Sequence, residues 1–358
     1  MRGRLWFACN LAAAITATSA SSDGPLCVSP TRVFTARVNL FAGELGYYVF
    51  EECGLDVLNP TLVMELGETY TFVQNHRSNY FHPIGFAYSP YGDQELKLEV
   101  EPGTTRGTNR TCVDTFTCDA PMYMRQGQYL GHYSNNADVA PVTVHEEDFG
   151  LDVYEPLFLR SPAEWTSLGP FEIKFKVTDD TLTTDLFYFC HVHEFMGGRI
   201  KVTDAQGNHL SQLDTPSLGY SYDYDTPGAI SDFDKECGTF GLGQFSDLPN
   251  NPYCPDRFVC GTDPTSDPAL HQFAQCIDAM NCAMMAGMST GTQAQSEPAL
   301  FVHQMIPHHQ NAVNMAKALL KVADTKVPCD DLSNEDDPDC ILQGILYEIV
   351  NTQNLQVR

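Results

Sequence analysis

Tyr188-Phe189-Cys190-His191-Val192-His193-Glu194-Phe195-Met196-Gly197-Gly198 holds a thiol, two imidazoles and a thioether within a few residues. The runs on either side, Leu186 to Phe189 and Arg199 to Thr203, read as strands, so these donors share a short loop between them. Thiolate and thioether are soft ligands, imidazole is borderline, and a trigonal His₂Cys set with a weak axial Met suits copper. Cys190, His193 and Met196 supply three of those four donors. The second imidazole must come from elsewhere in the chain. Asn79-Tyr80-Phe81-His82-Pro83-Ile84-Gly85-Phe86 offers one, with His82 where a loop enters an apolar segment. His76 and His132 are the alternatives.

Outward from that loop the pattern stays strand-like, from about Arg32 to Thr203. Phe171 to Val177 alternates apolar and polar residues as a half-buried strand does. Thr61 to Leu66 and Thr69 to Val73 flank Gly67-Glu68, a hairpin-like signal. No long helical period interrupts this half, and a β-sandwich is the class it predicts.

The ligand loop and the upstream His resemble the cupredoxins over Asn59 to Phe86 and Thr183 to Thr203. The resemblance implies a Greek-key, blue-copper-type β-sandwich over 25–204, with His82, Cys190, His193 and Met196 as copper ligands. Two features depart from the family: the long insertion between His82 and Cys190, and His191 beside the ligand Cys. Multicopper oxidases carry a His-Cys-His tripeptide of this kind, but they need several further His-x-His pairs, and this chain has only His191/His193. His191 is therefore expected at the surface.

A second donor-rich stretch lies downstream, Phe301-Val302-His303-Gln304-Met305-Ile306-Pro307-His308-His309-Gln310, continuing to Ala312, Met315 and Ala316. At about 100° per residue, Met305, His308, His309, Ala312 and Met315 fall on one side of a helix, with Phe301, Ala316 and Leu319. That side is expected to be buried, with His303 pointing away and Pro307 loosening the backbone. The preceding segment adds Cys276, Met280, Met284, Met285 and Met288 as possible soft donors. Three helices are predicted: Asp267-Pro268 to about Met285, Ser296-Glu297-Pro298 to about Val322, and about Cys340 to Gln353. The Met-Ile-Pro-His-His-Gln segment with its following Ala and Met resembles the ferritin-like family catalogued as domain-of-unknown-function 305. It implies a helical bundle over 266–358 that binds copper or similar soft ions through Met305, His308, His309 and Met315. The overall class is thus a multi-domain β + α chain, with a Gly-, Pro- and Cys-containing linker over 205–265.

Bulk properties narrow the setting. Arg2 and Arg4 precede an apolar run closing in Thr18-Ser19-Ala20, the form of a secretory signal peptide over 1–20. The expectation is a secreted, extracellular (or periplasm-like) protein with no membrane span. The 358 residues carry 46 Asp+Glu against 20 Lys+Arg, a net charge of −26, which repels phosphate backbones and excludes nucleic acid. Of 13 cysteines, the 11 outside Cys9 and Cys190 read mainly as disulfide-forming in an oxidising compartment, with the odd one free, intermolecular or metal-bound. Close spacings suggest loop staples at Cys112/Cys118, Cys254/Cys260 and Cys329/Cys340. Asn109-Arg110-Thr111 is a glycosylation sequon. These readings converge on copper capture, storage or delivery. Electron transfer with a redox protein partner ranks second. An oxidase or reductase ranks last, because four protein ligands leave no open metal position.

Overall fold

The computed structural model describes residues 25–43, 45–88, 100, 104–105, 108–109, 121–130, 151–177, 185–193, 196–210, 230–248, 250–254, 256–259, 261–289, 296–326, 329 and 331–357. The expected signal peptide, His132, Cys112, Cys118, Cys260 and two residues of the sequon lie outside them.

Two mixed sheets face each other. One has the order β1 (Leu26–Val28), β4 (Thr61–Glu65), β13 (Gly197–Thr203), β12 (Leu186–Cys190), β6 (Ile84–Ala87). The other runs β10 (Gln128–Tyr129), β9 (Met122–Arg125), β11 (Phe171–Lys176), β5 (Thr69–Val73), β2 (Val33–Asn39), β3 (Tyr47–Phe50). A small pair, β7 (Thr104–Thr105) and β8 (Thr108–Asn109), stands apart from both. β11 shows the expected alternation of buried and half-buried residues. Aromatic rings from both sheets meet between the layers: Phe50 with Tyr188 at 5.3 Å, Phe72 with Phe86 at 4.9 Å and Phe86 with Phe175 at 4.6 Å. Such pairs add roughly 0.5–1.5 kcal/mol each beyond the area they bury.

The hairpin expected at Gly67-Glu68 is not formed. β4 and β5 belong to opposite sheets, and Gly67, at φ +82°, carries the chain from one layer to the other. Leu66 donates to Thr203 O in the first sheet, and Gly67 donates to Val177 O beside the second. A two-residue Gly turn fits either a hairpin or a crossing between layers, and the alternation is identical in both. Two short helices, α1 (Leu151–Phe158) and α2 (Pro162–Leu168), also interrupt the strand-rich half.

A short helix, α3 (Asp232–Cys237), precedes the three expected long ones: α4 (Pro268–Met288), α5 (Glu297–Lys326) and α6 (Pro338–Val357). The Asp267 side chain caps α4 by accepting from Leu270 N, with Pro268 in the first turn. Ser296 accepts from Ala299 N in the same way at α5. α5 packs against both α4 and α6. The hydrophobic core is continuous from the sheets into the helices, taking in Phe34, Phe86 and Ile200 together with Val313, Leu320, Leu346 and Val350. The buried Lys317 donates to Gly43 O at 2.8 Å, a further link between α5 and the sheet layer.

The expected buried side of α5 needs correction. Phe301 is 64% exposed and Met315 37% exposed, and His308 is exposed as well. No residue from 296 to 310 is buried; burial begins at Asn311 and follows Val313, Ala316, Lys317 and Leu320. The His/Met side is amphipathic enough to read as a core stripe. The difference is one of position along the helix: the first half of α5 is buried on no side, while Ala316, on the expected side, is buried with Val313 and Leu320 in the second half.

Candidate metal centre

The strand register assembles the centre. Cys190 closes β12 opposite Ile84, the first residue of β6, which puts His82 at the same end of the sheet. The two ligand loops are bonded directly, His191 N donating to Pro83 O at 3.1 Å. Cys190 N donates to Met196 O at 2.8 Å and draws the loop back toward β13. That return needs glycine: a Cβ at Gly197 would lie 2.5 Å from Tyr188 O, and one at Gly198 would strike the Tyr188 ring.

His82 is held from several directions. Its N–H donates to Asn79 O, and its carbonyl accepts from Gln74 Nε2 at 2.7 Å and from the Tyr48 hydroxyl at 3.0 Å. Gln74 Oε1 accepts in turn from Ile84 N and from the Tyr154 hydroxyl. Phe81, next to His82, adopts φ +69°, a left-handed conformation that costs a non-glycine residue about 1 kcal/mol or more. It turns the chain tightly enough to aim His82 inward.

Three donor atoms then converge. Cys190 Sγ lies 3.7 Å from His82 Nδ1 and 3.6 Å from His193 Nδ1, and the two nitrogens are 3.1 Å apart. A cation about 2.0 Å from each nitrogen and about 2.3 Å from sulfur, with angles near 105–120°, would separate the donors by about 3.2–3.7 Å. The trio fits one ion. All three residues are buried, and Cys190 is the free cysteine among the described residues.

Electrostatics point the same way. Burial pushes the Cys190 thiol up to about 12, while the His193 and Val192 main-chain N–H groups and the Tyr48 hydroxyl pull it down. Burial, and then the neighbouring His193, hold His82 well below the ordinary imidazole range. Without a cation the pocket therefore keeps a neutral thiol beside a neutral His82 ring. A bound cation offsets the cost of the buried thiolate.

Met196 is buried in the return of the loop into β13. His191 is not free at the surface as expected: it is part-buried and its Nδ1 bonds to Glu155 on α1. That carboxylate comes from the inserted segment and left no signal in sequence spacing. His76 is engaged elsewhere, Nδ1 lying 2.8 Å from Ser78 Oγ.

Around α5 the structure assembles less. The His308 and His309 rings are 5.8 Å apart, and His309 Nδ1 has no hydrogen-bond partner among the described residues. Met284 and Met315 both approach Asn311 Nδ2, at 3.4 and 3.6 Å, so two thioethers from facing helices share one neighbour. Met305 is half-buried on the same helix as Met315. Cys276 is not a soft donor, because it is disulfide-bonded to Cys237. Cys254 pairs with Cys282 rather than with Cys260, tying the segment before α4 onto that helix. Cys329–Cys340 forms as expected, and Cys27–Cys53 is the fourth disulfide among the described residues. Sequence proximity favoured a Cys254–Cys260 staple, whereas helix α4 presents Cys282 to the loop.

Comparison of the chain with protein-family models, with curated proteins and with solved structures gives no match.

Proposed function

We propose that this chain is a secreted copper-binding protein that captures, stores or delivers copper through a type 1-like centre in a Greek-key, cupredoxin-like sandwich. The observation that carries this reading is the buried convergence of His82 Nδ1, His193 Nδ1 and Cys190 Sγ at metal-ligand separations. One thiolate with two imidazoles is a softer set than magnesium or calcium takes, and Met196 in the same loop supplies a thioether. Four disulfides support an oxidising compartment, and among the described residues no helix is long and apolar enough to cross a membrane.

Copper held there would supply a one-electron couple and a thiolate-to-metal charge-transfer colour. The protein's own contribution is rigidity: Gln74 and Tyr48 clamp His82, and the strand register fixes Cys190. Met305, His308, His309 and Met315 form a secondary, more exposed soft-ion surface in this reading. Electron transfer with a redox partner ranks second, because all three clustered ligands are buried. The test is a Cu(II) titration of the purified full-length protein followed by visible absorption. An intense band saturating at one equivalent, absent from Cys190→Ser, is expected. A folded wild-type protein that stays colourless with Cu(II) overturns the proposal.

A further inference from the structure

A residue 158 positions after His193 reaches the metal centre. Asn351, on α6, places its main-chain carbonyl 3.4 Å from His193 Nε2. Its side-chain amide is anchored at the main chain of Tyr80, two residues before His82. The Asn351 Nδ2 group donates to Tyr80 O at 3.3 Å and to Tyr347 O at 2.9 Å. Both acceptors are carbonyls, so the orientation of the amide is fixed: the –NH₂ must face them and the oxygen must face away. That oxygen, Asn351 Oδ1, is buried and has no hydrogen-bond partner among the described residues, and the same holds for His82 Nε2.

The chemistry of ligation gives these two atoms a use. Both histidines turn Nδ1 toward Cys190, so a cation bound there leaves each ring protonated on Nε2. A ligating His nearly always donates that second N–H to a carbonyl or carboxylate, which fixes the ring and strengthens the ligand. His193 Nε2 already faces Asn351 O, and Asn351 Oδ1, on the amide anchored two residues before His82, is a buried acceptor without a partner among the described residues.

Resting on the metal reading above, we propose that Asn351 is a positioning residue for both imidazole ligands, its carbonyl serving His193 and its side-chain oxygen serving His82. α6 is then part of the centre and not simply a neighbour of it. Metal binding and α6 docking are coupled: whatever fastens one fastens the other.

The test uses the full chain loaded with Cu(II), with affinity read by competition against a chelator and the ligand field read by absorption. Asn351→Ala should weaken copper binding on the order of 10–100-fold and shift the band. Asn351→Asp keeps one oxygen for His82 but loses the two bonds that the –NH₂ donates to Tyr80 O and Tyr347 O, so it should bind copper more tightly than Asn351→Ala while its metal-free form melts below the wild type. Gln343→Leu controls for simple loss of α6 packing: it removes another buried polar group on the same helix, about 12 Å along the axis at 1.5 Å per residue. It should lower the melting temperature of the metal-free protein while leaving the affinity within about threefold. A folded Asn351→Ala protein with wild-type affinity and spectrum overturns the inference, as does an equal loss of affinity in Gln343→Leu. Hydrogen exchange of the wild-type chain adds a readout that needs no variant. Copper should slow exchange along the half of α6 that carries Asn351, and indifference there also overturns the proposal. A wild-type chain that takes no copper removes the metal reading and this inference together. Normal wild-type binding with an indifferent Asn351→Ala removes this one alone.

Discussion

At the scale of single residues the centre separates into groups that hold an ion and groups that tune it. Met196 belongs to the second kind, because a weak axial thioether adjusts a copper site that three stronger donors retain. Met196→Leu should therefore keep the charge-transfer band and raise the reduction potential, since removing a donor disfavours Cu(II) more than Cu(I). Voltammetry of the variant reads this directly, and an unchanged potential would show that the thioether does not reach the ion. His76 makes a different prediction. Burial, followed by Arg37 and Arg77, lowers it from its ordinary 6.5 to about 4, with Glu51 opposing. The folded chain thus binds fewer protons there than the unfolded chain does. The sign follows: stability is whole above about pH 6.5 and falls as pH drops toward 4, by at most about 3 kcal/mol. Urea unfolding at about pH 7 and about pH 4 should show a shallower loss in His76→Gln than in the wild type. Equal losses would place the acid sensitivity elsewhere.

At the scale of elements, α5 shows how far a helical period can be trusted. The period locates the helix and its start, because Ser296 and Pro298 are placed to begin one, but it cannot say along which part of its length the helix finds partners. Leu320 lies in the covered half at 1% exposure and Phe301 in the open one. Leu320→Ala should cost about 2–5 kcal/mol, while Phe301→Ala should stay within about 0.5 kcal/mol. Denaturant melts of the two variants would show whether burial is distributed this way. The exposed His/Met surface has its own test. In a Cys190→Ser background, a Cu(I) titration should find residual binding that His308→Ala with His309→Ala removes. No residual binding in that background would leave the methionines as packing. The strands were the most legible elements, since β11, β12 and β13 follow alternation and apolar runs. Their partners were less so: Gly67 reads the same whether the chain turns back or crosses between layers.

At the scale of the whole molecule, the candidate ligand loop could be read locally because Cys190, His193 and Met196 are neighbours in the chain. His82 could be proposed because it borders an apolar segment. Asn351 could not, since no pattern in a single sequence links a helix residue to loops 158 and 271 positions earlier. The continuous core has the same non-local origin, and it bears on unfolding. Sheets and long helices share buried contacts, so they should melt together, with copper raising a single transition. Calorimetry that resolves two well-separated transitions, only one of them metal-sensitive, would show that the layers are independent. The position of Asn351 also sets an order in time. A nascent chain emerges at about 5–20 residues per second, so His193 precedes Asn351, 158 residues later, by about 10–30 s. Throughout that interval the thiol and both imidazoles exist without the helix that will later cover them. Loading during synthesis and loading of the finished chain are therefore different events, and only in the second does Asn351 already stand beside His193.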